Sequence, residues 1–266
     1  MKDQALALAR SVPEPAARLN LLREYVQAFV LRSLHESEAF SSIAFVGGTA
    51  LRFLENLPRF SEDLDFSLIG EPGYAPEAWM EKIDRDLHLA GFEPEVRFSG
   101  KKTVHTAWIR IAGLLEPAGL AARPGHKLSI KLEIDTRPPA GAQVARTVIT
   151  RHLMFALAHY RIDSLMAGKI HALITRPYAK GRDWYDLLWY RSRRPPVEPN
   201  LALLQNALDQ TRGTGTLDAT DWRRHVRDRL GGLSAEDLAR DVSSFLERPA
   251  DASLLTREHL EAALLP

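Results

Sequence analysis

The sequence predicts an α+β protein, with a mixed sheet and helices in its N-terminal part and a helical C-terminal part. Three observations carry this. Up to about residue 136, apolar runs of strand length are interspersed with helix-length ones. Arg137-Pro138-Pro139-Ala140-Gly141 then breaks the chain, as prolines and glycine do. From Ile162 onward the apolar spacing is helical. The expected division is residues 1–140 as the α+β domain and 141–266 as the mainly helical one.

Taken in order, Leu19, Leu22, Tyr25, Val26, Phe29, Val30 and Leu34 recur at helical spacing and predict a helix over 16–36. Ile43-Ala44-Phe45-Val46 is a short apolar run ending in Gly-Gly, which predicts a buried strand entering a tight turn. Thr49 suits the N-cap of a short helix through Leu57, and Pro58 marks its end. Leu64 to Leu68 alternates apolar and polar residues and predicts a second strand. Gly70 to Pro76 is a loop, and Trp79 to Ala90 a helix closed by Gly91. Strands follow over 103–115 and 126–135. In the latter Leu128, Ile130, Leu132 and Ile134 face one way, and Ser129, Lys131, Glu133 and Asp135 the other. Helices are expected over 162–175, 182–192, 200–210, 219–230, 234–247 and 255–264.

The absence of cysteine excludes a disulfide scaffold or thiolate metal site, so any metal must be held by carboxylate or imidazole. The first residues lack the basic-then-apolar pattern of a signal peptide. No apolar run reaches the ~20 residues of a membrane span, so a cytoplasmic protein is expected. The overall charge of +1 is unevenly spread: residues 146–194 hold 10 Lys and Arg against 3 Asp and Glu, whereas 195–266 hold 8 against 12. A basic middle segment suits a phosphate-rich ligand, although local surface bias gives the same numbers.

Chemistry concentrates between Gly47 and Asp65. Asp63 and Asp65, two apart on a strand, project from one face, where both can reach one divalent ion. Glu133, on the polar face of another strand, can complete the set. Carboxylates holding Mg²⁺ would neutralise a nucleoside triphosphate and activate an acceptor hydroxyl, catalysis that rests on positioning and electrostatics. Gly47 and Gly48 let backbone amides approach phosphate, beside a helix N-terminus. Lys169 is a compact charge on a helix. Asp183 and Asp186, three apart on the next helix, share a face. His152, His159 and His171 show no metal-ligand spacing. The basic clusters Arg191-Arg193-Arg194 and Arg223-Arg224-Arg227-Arg229 can steer nucleic acid, though Asp221 and Asp228 interrupt the second as on a solvated helix face.

Phe45-Val46-Gly47-Gly48-Thr49-Ala50-Leu51-Arg52, then Arg59-Phe60-Ser61-Glu62-Asp63-Leu64-Asp65-Phe66, resembles the AbiEii/AbiGii-type toxin family of the polymerase-β-like nucleotidyltransferase superfamily. The resemblance continues in Lys169-Ile170-His171-Ala172-Leu173 and Arg182-Asp183-Trp184-Tyr185-Asp186-Leu187-Leu188. It implies a bacterial toxin–antitoxin or phage-defence toxin that moves a nucleotide from an NTP to an acceptor such as tRNA, with Mg²⁺ or Mn²⁺ and a cognate antitoxin. It assigns Gly47, Gly48, Thr49 and Arg52 to the nucleotide, Asp63 and Asp65 to metal and catalysis, Lys169 to the triphosphate, and Asp183 or Asp186 to a further acid. Thr49 stands where many superfamily members have serine, and keeps the hydroxyl. Glu133 matches the third-carboxylate position within a looser motif.

Two other readings use the same residues: a metal-dependent nuclease or phosphohydrolase, which needs no triphosphate cradle, and a non-catalytic antitoxin-binding protein. Ser61, two residues before Asp63, offers a control point. A phosphate there would add ~1.5–2 negative charges beside the metal carboxylates. Its alternative role is to hydrogen-bond the turn before the strand.

Overall fold

The computed structural model describes residues 1–120, 123 and 125–265. Two helices, α1 (Lys2–Arg10) and α2 (Pro15–Glu36), lead into β1 (Ile43–Val46), α3 (Gly47–Glu55), β2 (Leu64–Leu68) and α4 (Pro76–Leu89). Five strands follow: β3 (Glu93–Ser99), β4 (Val104–Ala112), β5 (Leu128–Asp135), β6 (Val144–Ile149) and β7 (Phe155–Tyr160). The remainder is helical: α5 (Ile162–Thr175), α6 (Gly181–Ser192), α7 (Leu201–Arg212), α8 (Trp222–Leu230), α9 (Ala235–Ser243) and α10 (Arg257–Ala262).

The seven strands form one mixed sheet in the order β3-β4-β5-β2-β1-β7-β6. β3, β4 and β5 pair antiparallel, β5 with β2 parallel, β2 with β1 antiparallel and β1 with β7 parallel. The sequence pattern explains the centre. Ile43, Ala44 and Phe45 of β1 are fully buried, as a run apolar on both faces requires. β5 alternates, with Leu128, Ile130, Leu132 and Ile134 buried and the residues between them half-buried. Phe45 and Phe66 stack across β1 and β2 with ring centroids 5.3 Å apart, the cross-strand aromatic pairing that stabilises a sheet. α2 buries Leu22, Val26, Val30 and Leu34.

Three strands depart from the sequence expectations. β3, β6 and β7 were not anticipated: β3 is mostly half-exposed, β6 is mostly exposed, and Phe155–Tyr160 carries alanines and leucine that read equally as helix. α3 begins at Gly47, with Val46 rather than Thr49 at its N-cap.

The chain divides into two compact units, residues 1–137 with 145–159, and 138–144 with 160–266. The sheet is therefore incomplete at residue 140, because 145–159 return to it. In the second unit, Asn200 caps α7 by accepting from the Leu203 amide, and its amide donates to the Gly141 carbonyl at 2.8 Å. Gly181 opens α6 where a Cβ would stand 2.0 Å from the Leu238 carbonyl oxygen. Trp184, Trp222, Leu204 and Leu238 are buried in this unit.

Candidate active site

In the first unit the chemistry gathers around the β1–α3 turn. Gly47 has φ +79°, and a Cβ there would lie 2.5 Å from Asp65 Oδ2. Only glycine supplies that backbone without strain and leaves room for the carboxylate. A Cβ on Gly48 would meet the Arg59 guanidinium at 2.6 Å and Ser61 Oγ at 3.2 Å. The bare turn is thus flanked by one carboxylate, one guanidinium and one hydroxyl.

Antiparallel pairing sets Val46 opposite Asp65, and parallel pairing sets Asp65 opposite Glu133. Paired residues on neighbouring strands leave the sheet on the same face, so Asp65 and Glu133 share one. Asp63 stands just before β2 and is half-buried. Its backbone carbonyl accepts the Thr49 hydroxyl. Thr49 is fully buried, so its hydroxyl anchors Asp63 rather than lining an open cradle. Gln27, 1% exposed, donates to the carbonyls of Ser61 at 3.1 Å and Glu62 at 2.9 Å. The segment carrying both aspartates is therefore fixed from α2 and α3.

Lys131 joins this face. Its ammonium lies 2.7 Å from Glu133 Oε1. The hydrogen bond to Glu133, together with the charges of Glu133, Asp63 and Asp65, outweighs desolvation and raises the lysine above its ordinary range. Among the described residues, no three Asp, Glu or His side chains gather closely enough to hold one ion. The donor chemistry still fits Mg²⁺ or Mn²⁺. Such an ion takes one or two carboxylates, completing its shell with water and substrate phosphate, and Asp63 and Asp65 supply two. Glu133 shares the face but is engaged by Lys131.

Arg52 lies deeper than its place in the motif suggests. It is 2% exposed, pairs with Glu24, donates to the Leu57 carbonyl at 2.8 Å and lies 4.4 Å over the Phe60 ring. Its guanidinium serves the core, where desolvation forces a charge to find partners, instead of reaching out to phosphate. Glu24 also meets His152 at 2.7 Å and Arg151 at 3.2 Å. Burial pushes its carboxyl up, but His152, Arg52 and Arg151 together bring it down to about 2.

In the second unit, Lys169 of α5 is held between two carboxylates of α6, 2.7 Å from Asp183 and 2.8 Å from Asp186. Asp186 is fully buried; Asp183 also pairs with Arg176. Asp183 lines a narrow cleft with Tyr178, Lys180 and Arg229. Arg182 stacks over Phe245 at 4.2 Å. Tyr178 is 59% exposed, with the Arg176 and Lys180 cations 5.9 and 5.7 Å from its ring centre.

Sequence reasoning missed Gln27, Arg59, Lys131 and Arg176. Lys131 was detectable, since it lies on the polar face of β5 two residues from Glu133. Gln27 was not, because it looks like any polar residue in an amphipathic helix.

A family model described as nucleotidyl transferase AbiEii toxin, type IV toxin–antitoxin system, matches residues 29–264. No curated protein matches the chain. Among solved structures it is similar to MenT4, a nucleotidyltransferase toxin from Mycobacterium tuberculosis H37Rv, with TM-score 0.54 and 20% identity over 99% of this chain and 98% of that one. JHP933 from Helicobacter pylori is similar with TM-score 0.54 and 16% identity, over 92% of this chain and 90% of that one. At these identities the likeness shows the fold.

Proposed function

Because the chain belongs to the AbiEii nucleotidyl transferase toxin family, we propose that it transfers a nucleotide from an NTP to an RNA acceptor such as tRNA, with Mg²⁺ or Mn²⁺ held by Asp63 and Asp65. The observation that carries this reading is the placement of Asp65 against the Gly47 turn, on the same sheet face as Glu133. A divalent ion there would neutralise phosphate and stabilise charge on the transferring group. Gly47 and Gly48 give phosphate a close approach to backbone amides, at the positive end of α3. Arg59, 2% exposed and donating to the Phe60 carbonyl at 2.9 Å, braces the turn at Gly48, and Glu133 joins as a third carboxylate once the ion draws it from Lys131.

In the second unit we assign Lys169 to the triphosphate and Asp183 to the further acid. Asp186, wholly buried against Lys169, positions that lysine. The RNA acceptor is supported by Tyr178, an exposed ring flanked by cations in the basic segment, since aromatic platforms with neighbouring cations suit unpaired bases. Type IV toxin–antitoxin membership supports a cognate antitoxin. Cytoplasmic action follows from a cellular RNA acceptor, and no described helix is long and apolar enough to cross a membrane.

Incubation with each labelled NTP, Mg²⁺ and total RNA tests the proposal. Label should pass to RNA with the wild type, and fall by a factor of ~100 or more with Asp63→Asn or Asp65→Asn. The thermal midpoint of each variant separates loss of transfer from loss of folding, since both aspartates also act on Lys131. RNA shortening without transfer would establish the nuclease instead. Neither transfer nor shortening would leave a binding protein.

A further inference from the structure

We propose that the groove between α4 and β3 docks an extended, basic segment of a partner protein, which adds to the sheet alongside β3. β3 closes one end of the strand order and has β4 as its sheet neighbour. An edge strand presents backbone donors and acceptors that an extended peptide can pair with. α4 runs back along β3 after the short connection at residues 90–92. Between them lies a cavity of about 480 Å³ walled by Glu77, Met80, Glu81, Asp84, Val96 and Phe98. That volume is in the range of ligand-binding clefts.

The walls specify the occupant. Glu77, Met80, Glu81 and Asp84 are at i, i+3, i+4 and i+7, one face of a helix. Val96 and Phe98 are two apart, one face of a strand. The floor is apolar: Met80 is 4% exposed, and Val96 and Phe98 are half-buried. The rim is acidic, with Glu77 and Glu81 exposed. The opposite side of α4 holds α2, through Lys82 to Glu36 at 3.2 Å and Ser33 to Asp86 at 2.6 Å. Glu77 and Glu81 are not spent there. Among the described residues no cation pairs with either, and Asp84 meets the exposed His88 at 3.5 Å.

Arginine and lysine match this surface atom by atom. Their aliphatic stems cover an apolar floor while the charged heads reach a polar rim. Carboxylates four residues apart on a helix are spaced ~6 Å along its axis. Alternate residues of an extended strand are spaced ~6.7 Å. A segment with a basic residue at every second position therefore places successive cations at Glu77 and Glu81 while its backbone follows β3. The same acidic rim repels nucleic acid, so this surface selects a protein partner.

A fluorescein-labelled octapeptide alternating arginine with valine is the probe, read by fluorescence anisotropy, with the glutamate–valine octapeptide as control. The arginine peptide should bind the full-length protein, weaken in about 0.5 M NaCl, and slow hydrogen exchange at the amides of β3. Charge reversal by Glu77→Lys with Glu81→Lys, both exposed, should reduce affinity about tenfold or more while leaving the thermal midpoint and nucleotide transfer unchanged. Equal binding by the double variant overturns the proposal, as does equal binding of the glutamate peptide. Unprotected β3 amides in the bound state overturn the strand addition. Self-association of the protein that the double variant abolishes would overturn it in favour of a second copy of this chain.

Discussion

Glu24 shows how much a single buried residue carries. Its carboxylate gathers Arg52, Arg151 and His152, joining α2, α3 and the connection between β6 and β7. With its carboxyl held at about 2 against an ordinary 4.5, the folded state favours the ionised form. The resulting stability is fully present above the ordinary carboxylate range and is lost as pH falls through 4.5 toward 2. Glu24→Gln should cost roughly 3 kcal/mol at neutral pH, and the gap from wild type should close as acid protonates Glu24. Urea denaturation at neutral pH and near pH 3 measures both. Ser61 belongs to the same scale. Its hydroxyl lies beside Gly48, so negative charge there faces any incoming phosphate. Ser61→Asp should abolish transfer while Ser61→Ala retains most of it. An inactive alanine variant would assign the hydroxyl to structure or chemistry, and a fully active aspartate variant would remove Ser61 as a control point.

At the scale of elements, the β1–α3 turn is the most constrained piece. Gly47→Ala imposes a positive φ on a side chain and drives its Cβ into Asp65. The cost should be on the order of 1–3 kcal/mol, with transfer lost beyond what the stability change explains, because Asp65 must move. Thermal unfolding and transfer assays on the one variant separate the two effects. This turn was legible in the sequence, as were β1, β2 and β5, because each follows a rule local to a few residues: an apolar run into Gly-Gly, Asp-x-Asp, strict alternation. β6 and β7 were not. β6 is mostly exposed and lacks the alternation that marks a half-buried strand, and β7 becomes a strand by pairing with β1 although its Ala and Leu favour helix in isolation. The structural roles of Arg52 and Thr49 were hidden for a related reason. Both sit in the motif, but their partners, Glu24 and the Asp63 carbonyl, lie 28 and 14 residues away. Lys169 and Asp183 were visible as a motif, whereas the carboxylate clamp on Lys169 appears only once α5 and α6 pack.

For the molecule as a whole, the division into units does not follow the chain. The sheet unit takes back residues 145–159 after the break at Arg137, and β7 lies against β1 with Phe45 opposite His159. A fragment of residues 1–140 would leave β1, whose Ile43, Ala44 and Phe45 are fully buried, as an unpaired apolar edge. Such edges aggregate. That fragment should express insolubly, while 1–160 should yield more soluble protein; comparing supernatant yields tests this. The same topology has a consequence during synthesis. The strands carrying Asp65 and Glu133 emerge from the ribosome before β7, which closes the sheet beside β1. Long-range strand pairing is slow to form. The acidic face is therefore made early but secured late, and a chain interrupted before residue 155 carries its aspartates on an unfinished sheet. On the proposed function, nucleotide transfer thus becomes possible only once more than half of the chain has been translated.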